Sequence, residues 1–160
     1  MKKMPDNQIA FYQSPDGSAN IEVLYAEENI WLSQKKMAEL FDVRIPTVNE
    51  HLGNIFKSLE LQEDSVVRNF RITATDGKEY DTKHYNLEAI LAIGYRVNSE
   101  RGIQFRQWAT GILKNYIHKG YALDSDRMKY GSRFSARYFD ELYEEIKDIR
   151  TSERRIYQKI

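Results

Sequence analysis

Residues 33–56 read SQKKMAELFDVRIPTVNEHLGNIF and contain two short amphipathic segments with no room for a loop between them. In the first segment the apolar residues recur at the spacing of one helical face; they are Met37, Ala38, Leu40 and Phe41. Ser33 precedes them, where its hydroxyl can accept a backbone N–H as an N-cap. We therefore predict a helix that begins directly after Ser33 and a turn at residues 42–43.

The second segment places its apolar residues along one stripe of a 3.6-residue helix; they are Ile45, Val48, Leu52, Ile55 and Phe56. Pro46 fits the first turn of this helix, where a missing N–H costs nothing. We interpret residues 33–56 as a helix-turn-helix, because a small Ala38 allows two helices to cross closely. Asp42 stands where many such turns have glycine, and it adopts a left-handed backbone less easily. The alternative is a helical hairpin with a structural role only.

The composition is that of an ordinary soluble protein. The 160 residues are 41% hydrophobic, enough for one core or two small ones. No apolar run approaches the roughly 20 residues of a membrane span, and the N-terminus lacks the apolar core of a signal peptide. The absence of cysteine excludes disulfides, thiolate nucleophiles and most structural zinc sites. We expect a cytoplasmic protein.

The charges are balanced overall but unevenly distributed. Lysine and arginine number 24, as do aspartate and glutamate, so no net field attracts the chain to phosphate. Residues 96–133 carry eight basic and three acidic residues and form the one clearly basic stretch.

Strand patterns surround the helix pair. Residues 21–25 and 30–32 form a predicted hairpin, and residues 9–12 fit a short strand. Residues 66–74 and 79–85 form a second predicted hairpin around the Asp76-Gly77 turn. We therefore predict an α+β fold.

Two further helices follow the second hairpin. Asn86 caps a nearly charge-free helix that ends at Gly94, and Ser99 caps a longer one that Gly120 stops. The longer helix has a predicted buried stripe of Phe105, Trp108, Ala109, Ile112, Leu113 and Tyr116. Its polar face carries Arg106, Thr110, Lys114 and His118, which suits either a solvated face or a phosphate-contacting surface.

Residues 124–133 are polar and predict a linker. From Phe134 the chain predicts one long helix, in which Leu142, Ile146, Ile149, Ile156 and Ile160 follow a heptad-like spacing with Glu153 at one apolar site. This helix either packs on its own chain or pairs two chains, so a homodimer through residues 134–160 is one expectation. Its apolar end lacks a C-cap, and we expect the natural protein to continue. The predicted domains are residues 1–60, 61–123 and 124–160.

Enzymatic signals are weak. His51, His84 and His118 stand more than thirty residues apart and lack metal-ligand spacing. Neither a P-loop nor a Gly-x-Gly-x-x-Gly motif is present. We expect no catalytic residues, no metal and no cofactor, and a binding function rather than an enzyme.

The chain resembles the RhuM-type virulence protein family. The resemblance rests on WLSQKKMAELFDVRIPTVNEHLGNIF at 31–56, TATDGKEYDTKHYNLEAILAIGYRVNSERGIQFRQWAT at 73–110 and SERRIYQKI at 152–160. The middle block is also similar to the N-terminal domain of phage Bro-type antirepressors. Together these resemblances imply a bacterial protein of island or prophage origin that binds DNA, with a further C-terminal region. They identify no functional residues.

We expect double-stranded DNA as the partner, read in the major groove by the second helix of the pair. The predicted base-reading residues are Thr47, Asn49, Glu50, His51, Asn54 and Lys57. The predicted phosphate contacts are Arg44, Arg96, Arg101, Arg106, Lys114 and Lys119. The alternative is a protein-interaction module, since a 12% aromatic content suits interfaces as well as cores.

Overall fold

A computed structural model describes residues 8–15, 17, 20–130 and 133–158, and the chain divides into two compact units, Met1–Ile112 and Leu113–Ile160. The fold is α+β, as the sequence predicts. The strands are β1 Gln8–Gln13, β2 Asn20–Ala26, β3 Asn29–Ser33, β4 Val67–Thr73 and β5 Glu79–Asn86. The helices are α1 Gln34–Phe41, α2 Ile45–Lys57, α3 Glu63–Val66, α4 Leu87–Gly94, α5 Glu100–Lys119, α6 Ser125–Tyr130 and α7 Arg133–Gln158.

One antiparallel sheet links both predicted hairpins, in the order β1-β2-β3-β5-β4. β3 pairs only with the last three residues of β5, as Ser33 opposite His84, Leu32 opposite Tyr85 and Trp31 opposite Asn86. β4 and β5 continue beyond these pairs as a two-stranded ribbon that ends at the Asp76-Gly77 turn. The predicted segments 1–60 and 61–123 therefore contribute strands to the same sheet.

The core of the first unit is built from the sheet, α1, α2, α4 and the first half of α5. Phe105 of α5 is fully buried, and its ring lies edge-on to Phe41 of α1 at 5.1 Å and to Tyr12 of β1 at 5.5 Å. α4 buries Ala89, Ile90 and Ile93, as expected for a helix whose one charged residue is Glu88. The core thus fixes α2, which packs on α1 and α4.

Side-chain caps begin three of these helices where the sequence predicts them. The hydroxyls of Ser33 and Ser99 accept the N–H groups of Lys36 and Gly102 at 3.2 and 3.0 Å, and the Asn86 amide oxygen accepts that of Ala89 at 3.3 Å. Each bond satisfies a donor that has no partner within the helix.

α1 ends in a Schellman motif. Asp42 has φ 51° and ψ 51°, and the next residue, Val43, donates its N–H to the Ala38 carbonyl at 3.0 Å. Asp42 therefore holds the left-handed conformation that glycine adopts in many such turns.

Several burial predictions are wrong, and the predicted linker contains a helix. Ile45 is 46% exposed, because it lies in the first turn of α2 beyond the reach of the core. α5 buries only Gly102, Phe105 and Ala109, so its later apolar residues meet no core; Ile112, Leu113 and Tyr116 are exposed. The predicted linker contains α6, whose first turn is capped by the Asp124 carboxylate through the Arg127 N–H at 3.0 Å.

His84 of β5 makes stability depend on pH. Its ring is buried against the edge of Phe70, at 5.2 Å between centroids, and Nδ1 lies 2.8 Å from the Thr82 carbonyl oxygen. Burial lowers the pKa of His84 below its ordinary value of about 6.5, against the opposing effect of the Thr82 bond. The unfolded chain therefore takes up a proton that the folded chain resists, and stability decreases as the pH falls below about 6.5.

We expect the His84→Gln variant to lose part of this pH dependence. Urea unfolding of both proteins at pH 7.5 and 5.5 measures it, and the difference in unfolding free energy between the two pH values should be smaller in the variant. An equal difference in both proteins would contradict the assignment to His84.

Candidate nucleic-acid interface

The outer face of α2 lies opposite the residues that the helix buries. Val48, Leu52 and Ile55 are buried against the core. At about 100° per residue, the opposite side of the helix holds Glu50, Gly53, Asn54 and Lys57, and all four are exposed. We call these four residues the outer face. Three of the six predicted base-reading residues lie on it.

The other three predicted base-reading residues lie on the flanks of α2. Asn49 lies on the flank nearer α1, where its side-chain oxygen accepts a hydrogen bond from Gln34 Nε2 at 3.3 Å. Gln34 also donates to Tyr85 Oη at 3.1 Å. Thr47 and His51 are half-buried on the opposite flank. Because the two flanks point in divergent directions, a single groove cannot meet all six side chains equally.

Two cationic side chains stand near the ends of α2. Arg44 is the N-cap residue and Lys57 the last residue of the helix, and both are exposed. The thirteen residues between helix start and end span about 20 Å. In the described part of the chain, neither Arg44, Lys57 nor Glu50 has an ion-pair partner.

Three of the predicted phosphate-contacting arginines bind groups within the first unit. Arg96 forms an ion pair with Glu60 at 2.5 Å. Arg101 donates to the Glu39 carbonyl at 2.7 Å, near the end of α1. Arg106 donates through Nη1 to the Gly94 and Val97 carbonyls at 2.9 and 3.0 Å.

Arg106 thereby satisfies the carbonyl of Gly94, the last residue of α4, and that of Val97 in the loop that follows. The Glu39 carbonyl near the end of α1 also accepts the Asp42 N–H, at 3.4 Å. Sequence reasoning missed the structural role of these arginine bonds. Lys114 and Lys119 are exposed in the second unit. The assignment of all these residues as phosphate contacts stays a prediction.

Gly53 is a feature of the outer face that sequence reasoning also missed. A Cβ added to Gly53 would meet no atom within 4 Å, so packing within the chain does not require glycine there. An exposed glycine inside a helix costs about 0.5–1 kcal/mol relative to alanine. The sequence could have identified Gly53, because a glycine in the middle of an otherwise regular helical pattern is unusual.

Other kinds of site find little support in the described ranges, 8–15, 17, 20–130 and 133–158. There, His, Asp and Glu side chains form no group of three or more that could hold a metal ion. Asp140, Glu141, Glu144 and Glu145 line a shallow, open depression on α7. Within the same ranges, no helix is both long enough and apolar enough to cross a membrane.

Part of the chain matches the profile of a known protein family. The profile of the virulence protein RhuM family matches residues 65–160, which include β4, β5 and α4 to α7. α1 and α2 precede the matched range. No curated protein and no solved structure matches the chain.

Proposed function

We propose that this chain, which belongs to the virulence protein RhuM family, is a DNA-binding module of the transcription-regulator type that acts in the bacterial cytoplasm. In this proposal α1 and α2 are a helix-turn-helix, and α2 reads double-stranded DNA. The observation that carries it is the outer face of α2, which is exposed, includes Gly53 and carries the side chains of Asn54 and Lys57 without partners in the described chain. A resemblance to phage Bro-type antirepressors supports the same class of function.

Each exposed residue has a role that follows from its chemistry. Asn54 can bond the N6 and N7 groups of adenine in the major groove, and Lys57 can contact a base edge or a phosphate. Arg44, near the other end of α2, is suited to a phosphate of the flanking backbone. Glu50 can accept from the cytosine amino group but repels phosphate, so it selects bases at a cost in affinity.

The module needs more positive charge than the helix pair supplies. Residues 33–60 contain four basic and four acidic residues, too balanced for strong attraction to phosphate. We propose that Lys114, Lys119, Arg96, Arg101 and Arg106 add phosphate contacts, and that a homodimer through residues 134–160 doubles them.

Binding of the chain to duplex DNA across a salt series tests the proposal. We expect affinity to fall steeply between 50 and 200 mM salt, as counterion release requires. Replacing Asn54 and Lys57 together by alanine should weaken binding and change the sequences recovered by selection from random duplexes. Absence of binding at low salt would refute the proposal.

Replacement of Gly53 is a sharper test, because it should change the stability of the fold and the affinity for DNA in opposite directions. Gly53→Ala should raise the unfolding free energy by about 0.5–1 kcal/mol. The same change should weaken DNA binding, because the added methyl group keeps the α2 backbone from approaching the groove. Urea unfolding and DNA titration of the variant measure the two effects.

Gly111→Ala is the matched control for Gly53→Ala. Gly111 is also exposed within a helix, α5, and a Cβ there would likewise meet no atom within 4 Å. It should show the same gain in stability with little change in affinity. If Gly53→Ala binds DNA as tightly as the unaltered chain, the α2 backbone does not approach DNA.

The alternative is a protein-interaction module with a structural helix pair. The exposed apolar side chains of the second unit favour it; they include Leu113, Tyr116, Ile117, Tyr121 and Leu123. A large exposed apolar surface is typical of a protein interface. The salt series separates the two functions, because this alternative predicts no affinity for DNA at any salt concentration.

A further inference from the structure

α7 carries an apolar stripe with heptad spacing. In a heptad written a to g, Phe139 and Ile146 occupy successive a positions, and Leu142 and Ile149 the d positions. Phe139, Ile146 and Ile149 are 51, 50 and 64% exposed, although α7 is 26 residues long. A helix gains most of its stability by packing its apolar face on a partner, and the described chain leaves this face largely uncovered.

The charges beside the stripe indicate what covers it. Glu145 falls at a g position and Arg150 at the next e position. Neither side chain makes a hydrogen bond or an ion pair in the described ranges. By contrast, charges on the far side of the helix pair within α7: Arg137 with Glu141 at 3.2 Å, and Glu144 with Lys147 at 3.3 Å.

We infer that α7 pairs with α7 of a second copy of this chain as a parallel, in-register coiled coil. In a parallel pair, a g residue of one helix faces the e residue five positions later on the other. Glu145 then meets Arg150 of the partner subunit, and symmetry forms this ion pair twice. An antiparallel pair would place g against g and e against e, which gives neither residue an oppositely charged partner.

In the same parallel pair, Glu153 lowers the affinity of one copy of the chain for the other. It follows Ile146 by seven residues and is therefore at an a position, where the two copies bring like charges to the seam. A polar a position fixes the register at a cost in stability. We expect Glu153→Leu to tighten the dimer.

In the alternative arrangement, the apolar stripe of α7 packs within its own chain, on exposed apolar residues of α5 such as Leu113 and Ile117. Packing of that kind leaves the chain monomeric. Sedimentation equilibrium of the full chain over a wide concentration range separates the two, and we expect a monomer–dimer equilibrium. A monomer at all concentrations would overturn the inference.

Charge reversal tests the ion pair. Glu145→Arg or Arg150→Glu should each weaken dimerisation about tenfold, since each replaces two attractive pairs by two repulsive ones. The double variant Glu145→Arg/Arg150→Glu should restore affinity to within about twofold. The matched control is Asp148→Arg, the same kind of charge change at an outward c position, and it should leave affinity unchanged. Equal effects of Glu145→Arg and Asp148→Arg would overturn the inference.

Cysteine crosslinking tests the orientation, and the chain contains no cysteine that could interfere. Leu142→Cys and Ile149→Cys, made separately, should each form a disulfide between two copies, because in-register parallel helices bring identical d positions together. An antiparallel dimer can bring together only one of these positions, so crosslinking of one variant alone would overturn the inference.

The inference deepens the dimer part of the proposed function and rests on it. All of these measurements are made without DNA, so a failure of parallel pairing and a failure of DNA binding are distinguishable.

Discussion

Replacement of Phe105 by alanine is expected to lower the unfolding free energy by about 3–5 kcal/mol, the range for removing a buried phenylalanine ring. Phe105 has no exposed surface, and its ring contacts the rings of Phe41, Tyr12 and Trp108 at centroid distances of 5.1, 5.5 and 5.4 Å. These partners lie on α1, β1 and α5 itself. The truncation therefore opens a cavity at the point where three elements meet.

Urea unfolding measures the loss, and Phe105→Leu provides a milder variant if the alanine variant does not fold. The control is Ile103→Ala on the same helix. Because Ile103 is 47% exposed, its truncation should cost less than about 1 kcal/mol. Equal losses for Phe105→Ala and Ile103→Ala would mean that the aromatic cluster does not hold α5 on the sheet.

Gly94→Ala is expected to destabilise the fold by about 1–3 kcal/mol, the usual cost of overpacking a core. A Cβ on Gly94 would lie 2.5 Å from Phe105 Cε1 and 3.2 Å from Phe41 Cζ. The first distance is far below van der Waals contact, so the Phe105 ring must move. Gly94→Ala should therefore lower the unfolding free energy, whereas Gly53→Ala should raise it, although both glycines lie in helices.

A double-mutant cycle with Phe105→Leu tests the cause. Leucine lacks Cε1, the Phe105 atom that would lie nearest to the added Cβ, so Gly94→Ala should cost less in the Phe105→Leu background than in the unaltered chain. Unfolding free energies of the four proteins measure the coupling. Strict additivity would show that the cost comes from something other than the contact with Phe105.

Local signals account for the parts of the fold that the sequence predicts. Ser33, Asn86 and Ser99 cap helices through bonds to residues three positions away, and the Asp76-Gly77 turn is equally local. The exposure of the end of α5 was mispredicted because it depends on contacts with other elements and not on the local sequence. Leu113 and Tyr116 have helical periodicity, but periodicity reports which residues share a face and not whether another element covers that face.

The same distinction applies to the candidate site. The outer face of α2 follows from the spacing of Val48, Leu52 and Ile55, so the sequence predicts it. The bond from Arg101 to the Glu39 carbonyl joins residues 62 positions apart. Nothing near Arg101 in the sequence indicates that bond, because the end of α1 reaches it only through the tertiary fold.

The two-stranded ribbon formed by β4 and β5 also bears on protein engineering. Its far end is the turn at Asp76-Gly77, where Asp76 accepts the Lys78 N–H at 2.9 Å and the Tyr80 hydroxyl at 2.8 Å. All of these residues are exposed, and β3 pairs with β5 only from His84 onward. An affinity tag or a fluorescent domain inserted at this turn would interrupt bonds of the turn alone. The ribbon is therefore the natural place to label the chain while leaving α2 and α7 unaltered.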